Sequence, residues 1–85
     1  MRISTYPKKF AHSITVEIVS ENDGHCIISL TNQKGRIRMM MGVNLTEGQN
    51  NILVDGMGIL EVGAYCLEVK NTEAKVLYYT EVIKQ

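Results

Sequence analysis

The stretch Ile14-Thr15-Val16-Glu17-Ile18-Val19-Ser20, then Glu21-Asn22-Asp23-Gly24, then His25-Cys26-Ile27-Ile28-Ser29-Leu30-Thr31, carries the alternation that decides the fold. In an extended chain successive side chains point to opposite faces, so Ile14, Val16 and Ile18 share one face while Thr15 and Glu17 take the other. Cys26, Ile28 and Leu30 repeat the pattern against His25, Ile27 and Ser29. The Asp23-Gly24 pair between the two runs favours a tight primed turn, because glycine adopts positive φ without steric cost. Period two on both sides of a turn signal reads as a pair of half-buried strands.

Working outward, Asn32-Gln33-Lys34-Gly35 is a second turn leading into Arg36 to Met41, where Ile37, Met39 and Met41 share a face and Met40 lies opposite with the arginines. Gly42 to Asn51 is polar and turn-rich, and reads as loop or irregular edge. Ile52-Leu53-Val54 is a short strand closed by Asp55-Gly56. Met57 to Gly63 reads as a connecting loop with Leu60 turned inward. Ala64 to Lys70 alternates again, with Tyr65, Leu67 and Val69 on one face. Asn71 to Ala74 then connects, hairpin-like, to Val76–Ile83. In that last run Val76, Tyr79 and Val82 or Ile83 also fit a helical stripe, but its β-branched and aromatic content favours a strand. Met1 to Thr5 reads as a loosely held end. Turn signals every ~8–12 residues between short strands are the spacing of an antiparallel sandwich. The expected fold is therefore all-β, an Ig-like antiparallel β-sandwich of six to seven short strands.

Composition agrees. The chain has 85 residues, 1 proline and 7 glycines, and its 9 basic residues balance 9 acidic ones. That is one domain's worth of chain. Zero net charge gives no long-range field to gather phosphates, which argues against nucleic acid as a partner. No apolar run approaches the ~18 residues of a membrane helix, and the first twenty residues lack a secretory leader's pattern. A core this small has little volume to give up to a desolvated catalytic cavity, so binding by a surface or an edge is the expected mode of action, without enzyme activity or cofactor.

Five pieces of the chain, taken in order, are similar to the type IX secretion C-terminal sorting domain, type A. Tyr6-Pro7-Lys8-Lys9-Phe10 followed by Ile14-Thr15-Val16-Glu17-Ile18 resembles that family's "YPNPF…ltI.f" opening. Cys26 to Ile37 resembles "vtIsLyd.tGrlv", Gly48 to Val54 resembles "G.n.i.l", and Leu60 to Val69 resembles "L..G.Y.l.v". Val82-Ile83-Lys84 looks like the family's basic ending. Lys8 and Lys9 replace the usual Asn-Pro, and the segment between Val54 and Leu60 is longer than the family pattern. The likeness is thus to a diverged member or an Ig-like relative. It implies a non-catalytic module that directs an N-terminally attached cargo through the type IX outer-membrane translocon, in bacteria of the Bacteroidetes type, where a sortase-like peptidase acts on it. The implied location is secreted or cell-surface, with passage through the periplasm. Since Met1-Arg2-Ile3-Ser4-Thr5 is not a leader, the expectation is an excised terminal domain, with a free-standing cytoplasmic relative as the alternative. By the same resemblance Gly35, Gly63 and Tyr65 are structural positions, and Lys75, Tyr79, Val82, Ile83 and Lys84 are the partner-binding residues. An edge strand there would let a partner add by main-chain hydrogen bonds.

Other chemistry reads weakly. Cys26 and Cys66 have a separation that would suit a cross-sheet disulfide, but Cys26 is in phase with the apolar face and Cys66 is out of phase with Tyr65 and Leu67, so a bridge is not expected. His25 and Cys26 are adjacent on a strand and point apart, which opposes a shared metal or nucleophile site. Gly56-Met57-Gly58 lacks the following helix of a phosphate loop. Glu17, Glu21 and Asp23 read as surface carboxylates. The alternative function is an accessory Ig-like or fibronectin-like module of a bacterial surface protein or glycan-active enzyme, spacing domains or binding carbohydrate. The absence of Trp from the sequence weakens its sugar-binding form.

Overall fold

The computed structural model describes residues 1–85, and about two-thirds of them are in strands. The strands are β1 (Arg2–Tyr6), β2 (Lys9–Phe10), β3 (Ile14–Ser20), β4 (Gly24–Asn32), β5 (Ile37–Leu45), β6 (Gly48–Val54), β7 (Gly63–Lys70) and β8 (Val76–Lys84), with one 3-10 turn at Met57–Ile59. They form a three-stranded sheet, β1-β3-β6, packed on a five-stranded sheet, β2-β8-β7-β4-β5. Every pairing is antiparallel except the two-residue contact of β2 with β8. The result is the expected antiparallel sandwich, close to the Ig arrangement in which one sheet is extended by an extra strand.

Period-two alternation builds the core directly. Ile14, Val16 and Ile18 from β3 and Ile52 and Val54 from β6 face Cys26, Ile28 and Leu30 from β4 and Tyr65, Leu67 and Val69 from β7. Ile14, Val16, Ile18, Ile28, Leu30, Leu67, Val69 and Val82 are completely shielded from solvent. Each such aliphatic side chain contributes on the order of 1.5–3 kcal/mol of transfer free energy.

Four sequence expectations change in the structure. The Asp23-Gly24 corner is not a hairpin, because β3 and β4 lie in different sheets. The chain arches across the sandwich so that the apolar faces of the two strands meet, an outcome that a hairpin within one sheet cannot give. Gly24 is not among the positive-φ glycines. The corner is held instead by Ser20 Oγ donating to the Asn22 carbonyl at 2.6 Å and by the Glu47 N–H donating to Asp23 Oδ1 at 2.8 Å. Met1 to Thr5 is not a loose end: β1 pairs along β3 from Arg2↔Val19 to Tyr6↔Thr15, and Thr5 is buried. Gly42 to Asn51 is mostly strand, the second half of β5 and the first half of β6. Within the connection that follows, Leu60 packs half-buried against the core, but the residue that enters it fully is Met57.

Both hairpins of the five-stranded sheet use one turn design. In the first, Asn32 Oδ1 accepts from the N–H groups of Lys34 and Arg36 at 2.9 Å each, while the Gly35 N–H donates to the Asn32 carbonyl at 3.0 Å. In the second, Asn71 Oδ1 accepts from Glu73 and Lys75 at 2.9 Å each, and the Ala74 N–H donates to the Asn71 carbonyl at 3.1 Å. The fourth residue of each is left-handed, Gly35 at φ 81° and Ala74 at φ 66°. An asparagine side chain that mimics a backbone turn organises both corners. Each hairpin then has a register shift just beyond the turn, at Leu30/Thr31 and at Val69/Lys70.

Candidate functional site

The residues that the resemblance assigns to partner binding lie on or beside β8, and the pleat divides them. Val82 pairs with Tyr65 and Thr80 pairs with Leu67, so Tyr78, Thr80, Val82 and Lys84 share the inward row. Val82 is fully buried and Lys84 retains 6% exposure, with its Nζ donating to the Gln85 carbonyl at 2.8 Å. Neither offers a side chain to a partner, which corrects the expectation of a basic surface ending. Tyr79, Glu81 and Ile83 form the outward row. Tyr79 is 72% exposed and Ile83 is half-buried. Lys75 is exposed in the turn. The structure thus sets Tyr79 and Ile83 on the outward row, leaves Lys75 exposed in the turn before the strand, and withdraws Val82 and Lys84 from the surface.

The expected terminal edge is an edge for only part of its length. β2 lies beside its end, Lys9↔Ile83 and Phe10↔Lys84. The Ile83 N–H donates to the Lys8 carbonyl at 2.7 Å and the Gln85 N–H to the Phe10 carbonyl at 2.8 Å. Upstream of Ile83 no strand borders that side of β8. A side-chain network guards its middle. Lys8 Nζ donates to Thr80 Oγ1 at 2.8 Å, to Thr5 Oγ1 at 3.1 Å and, more weakly, to Tyr78 Oη at 3.4 Å. Thr5 Oγ1 and Tyr78 Oη share a further bond at 3.0 Å. The network ties β1 of one sheet to β8 of the other. Sequence reasoning missed it, because its two halves, Thr5 with Lys8 and Tyr78 with Thr80, are separated by 70 or more positions and each is a common surface residue type.

Gly35, Gly63 and Tyr65 each hold a defined local geometry. Gly35 holds its left-handed turn, and Gly63 opens β7 at φ 145°. Tyr65 is buried, and its hydroxyl donates to the Glu61 carbonyl at 2.7 Å. That bond pins the approach to β7 much as the tyrosine corner of Ig sandwiches does.

On the outer face of the five-stranded sheet, Tyr79 borders a shallow hollow of about 280 Å³ lined also by Thr31, Asn32, Gln33, Cys66 and Glu81. Burial pushes the Cys66 thiol above its usual range, and the carboxylates of Glu68 and Glu81 push it the same way. The thiol is therefore held protonated and is a poor nucleophile at neutral pH. Cys26 lies on the inward face of the same sheet, also raised by burial. The sheet backbone separates the two sulfurs, as their phase in the sequence predicts. His25 Nδ1 sits 2.6 Å from Asn44 Oδ1 on the outer face, turned away from Cys26. No three His, Cys, Asp or Glu side chains converge at metal-binding distance, and no helix is long and apolar enough to cross a membrane. Neither a known family model nor a curated protein sequence matches this chain.

Proposed function

We propose that this domain is a non-catalytic sorting module, recognised through the open margin and outer face of its final strand, in the manner of the type IX C-terminal sorting domains that it resembles. The observation that carries the reading is the contrast within β8. Its inward row is locked into the core, while Tyr79 stands exposed beside an unpaired margin, with Lys75 in the adjoining turn. A partner strand laid along the start of that margin, upstream of the Lys8 network, gains main-chain hydrogen bonds, and Tyr79 and Lys75 supply side-chain selectivity. The partners on this reading are the outer-membrane translocon and a sortase-like peptidase, the cargo is joined at the N-terminal side, and the destination is the cell surface or the medium.

The test fuses residues 2–85, with β1 retained because Thr5 belongs to the packed structure, behind a signal peptide and a reporter in a host with type IX machinery. The expected result is reporter at the surface or in the medium, reduced by Tyr79→Ala together with Lys75→Glu. Both substitutions fall on exposed side chains, so the melting temperature should hold. Periplasmic retention of the unmodified fusion overturns the proposal.

The hollow beside Tyr79 favours a second reading. An exposed ring next to the amides of Asn32 and Gln33 and the Glu81 carboxylate offers a stacking face and hydrogen-bonding groups to a sugar ring. An accessory carbohydrate-binding module would use that face, and a glycan array on the isolated domain, with and without Tyr79→Ala, separates this reading from sorting.

A further inference from the structure

We propose that the opposite margin of the five-stranded sheet, strand β5, is a self-association edge, pairing antiparallel with β5 of a second copy to join two five-stranded sheets into one. This inference does not depend on the sorting proposal, since β5 and β8 lie on different sides of the sheet.

The four lateral margins of the sandwich are not equally open. β2 and the Lys8 network guard β8. β1 is only 5 residues long. β6, at 7 residues, is shorter than β5 and leaves a tight turn in which Asn50 Nδ2 donates to the carbonyls of Thr46, Gly48 and Ile18 at 2.9, 3.1 and 3.1 Å. β5 extends for 9 residues, bonded on one side to β4 and on the other to nothing, and holds no proline and a single charge, Arg38. Natural edges usually carry devices against pairing, such as proline, inward charges, bulges or very short length. Here the register shift is confined to the Ile37 end, and Met39 to Leu45 is regular.

The strand and its flanks also complement themselves. A two-fold axis through Met41 places Met39 opposite Val43 of the second copy and Met40 opposite Gly42. The inward-facing Met39, Met41 and Val43 are packed against the core yet only half-buried, so a second copy would extend their apolar surroundings. Beyond that regular stretch the Arg36 end of one copy lies toward the Glu47 end of the other. Arg36 and Glu47 are both exposed, and the only ion pair within the chain joins the N-terminus to Glu21. Basic and acidic ends thus exchange partners twice across the axis, whereas a parallel arrangement would set like against like. Two copies of formal charge zero have no general repulsion to overcome.

The experiment is sedimentation equilibrium of the whole chain from micromolar to about 1 mM, combined with amide NMR over the same range. The expected result is a concentration-dependent dimer whose amide shifts move along Met39–Val43. Arg36→Glu or Glu47→Arg alone should weaken association about tenfold, and the double swap R36E/E47R should recover it. Both are exposed side chains, and a melt of each variant verifies that the fold is intact. A chain monomeric at every concentration, shifts confined to another strand, or a double swap that fails to recover association each overturns the proposal.

Discussion

The two hairpins of the five-stranded sheet begin alike and end differently. Each turns on an asparagine whose side chain accepts two backbone N–H groups at 2.9 Å, each has a left-handed fourth residue, and each then sends out a strand of 9 residues. The outgoing strand of the first, β5, is left bare. The outgoing strand of the second, β8, is sealed at its end by β2 and crossed at its middle by Lys8. Turn chemistry therefore sets where a strand starts and says nothing about what borders it. The border is supplied by a segment 70 residues away in sequence, and it decides which stretch of backbone is available to a partner.

The sharpest way to break this comparison is inside β8 itself. Val82→Ala should cost about 2–3 kcal/mol, because Val82 is fully buried between the sheets. Tyr79→Ala, three residues away on the outward row, should stay within about 0.5 kcal/mol. Urea unfolding of both variants measures the gap, and equal effects would mean that the two rows of β8 are not divided as described. The next largest effect sets one turn against the other. Gly35→Ala places a Cβ in the left-handed region and should destabilise by about 1–2 kcal/mol. Ala74→Gly relieves that same conformation and should gain about 0.5 kcal/mol after the added chain entropy of glycine. Thermal melts of the pair should move in opposite directions. Lys8→Met removes the donor that ties Thr5, Tyr78 and Thr80 together, and should cost about 0.5–1 kcal/mol, while Lys9→Met changes little. Hydrogen exchange should rise along the middle of β8 in the Lys8 variant and stay unchanged along β5.

The smallest effect concerns the face between the two margins. The thiolate is the species that alkylates, and burial together with Glu68 and Glu81 holds the Cys66 thiol above its usual range. Alkylation by iodoacetamide should therefore begin at higher pH than for a free cysteine, and Glu81→Gln should move the onset down. The same direction of shift sets a sign for stability. Protons are bound more tightly in the folded state, so the contribution of Cys66 and of Cys26 is fully present below the unfolded thiol range and is lost as the pH rises from there through the raised folded values.

Much of the candidate surface was legible one residue at a time. Phase alone put Cys26 inward with Ile28 and Leu30, put Cys66 outward, and left Met40 on the outer face, where it is 57% exposed. Phase was not applied to β8, and the burial of Val82 emerged only from its pairing with Tyr65. The family likeness grouped it with Tyr79 because a motif records positions without recording faces. Other features had no local signature. The strand character of Gly42 to Asn51 was hidden by its polar residues, which the edge positions of β5 and β6 tolerate because one side of each strand meets water. β1 read as a loose end because Arg2 to Tyr6 has a single large aliphatic residue, and its order comes from pairing with β3.

The amino-acid sequence by itself determined the period, and with it which side chains face inward, where the asparagine turns fall and that the class is all-β, because those properties depend on neighbours one to four residues apart. Only the tertiary structure decided which sheet each strand joins. The Asp23-Gly24 corner sends its two strands to opposite sheets and the Asn32 corner keeps its strands together, yet both are short polar turns between alternating runs. The difference lies in burial. The apolar faces of β3 and β4 are satisfied when they meet across the core, and that contact has no counterpart in any local stretch of chain.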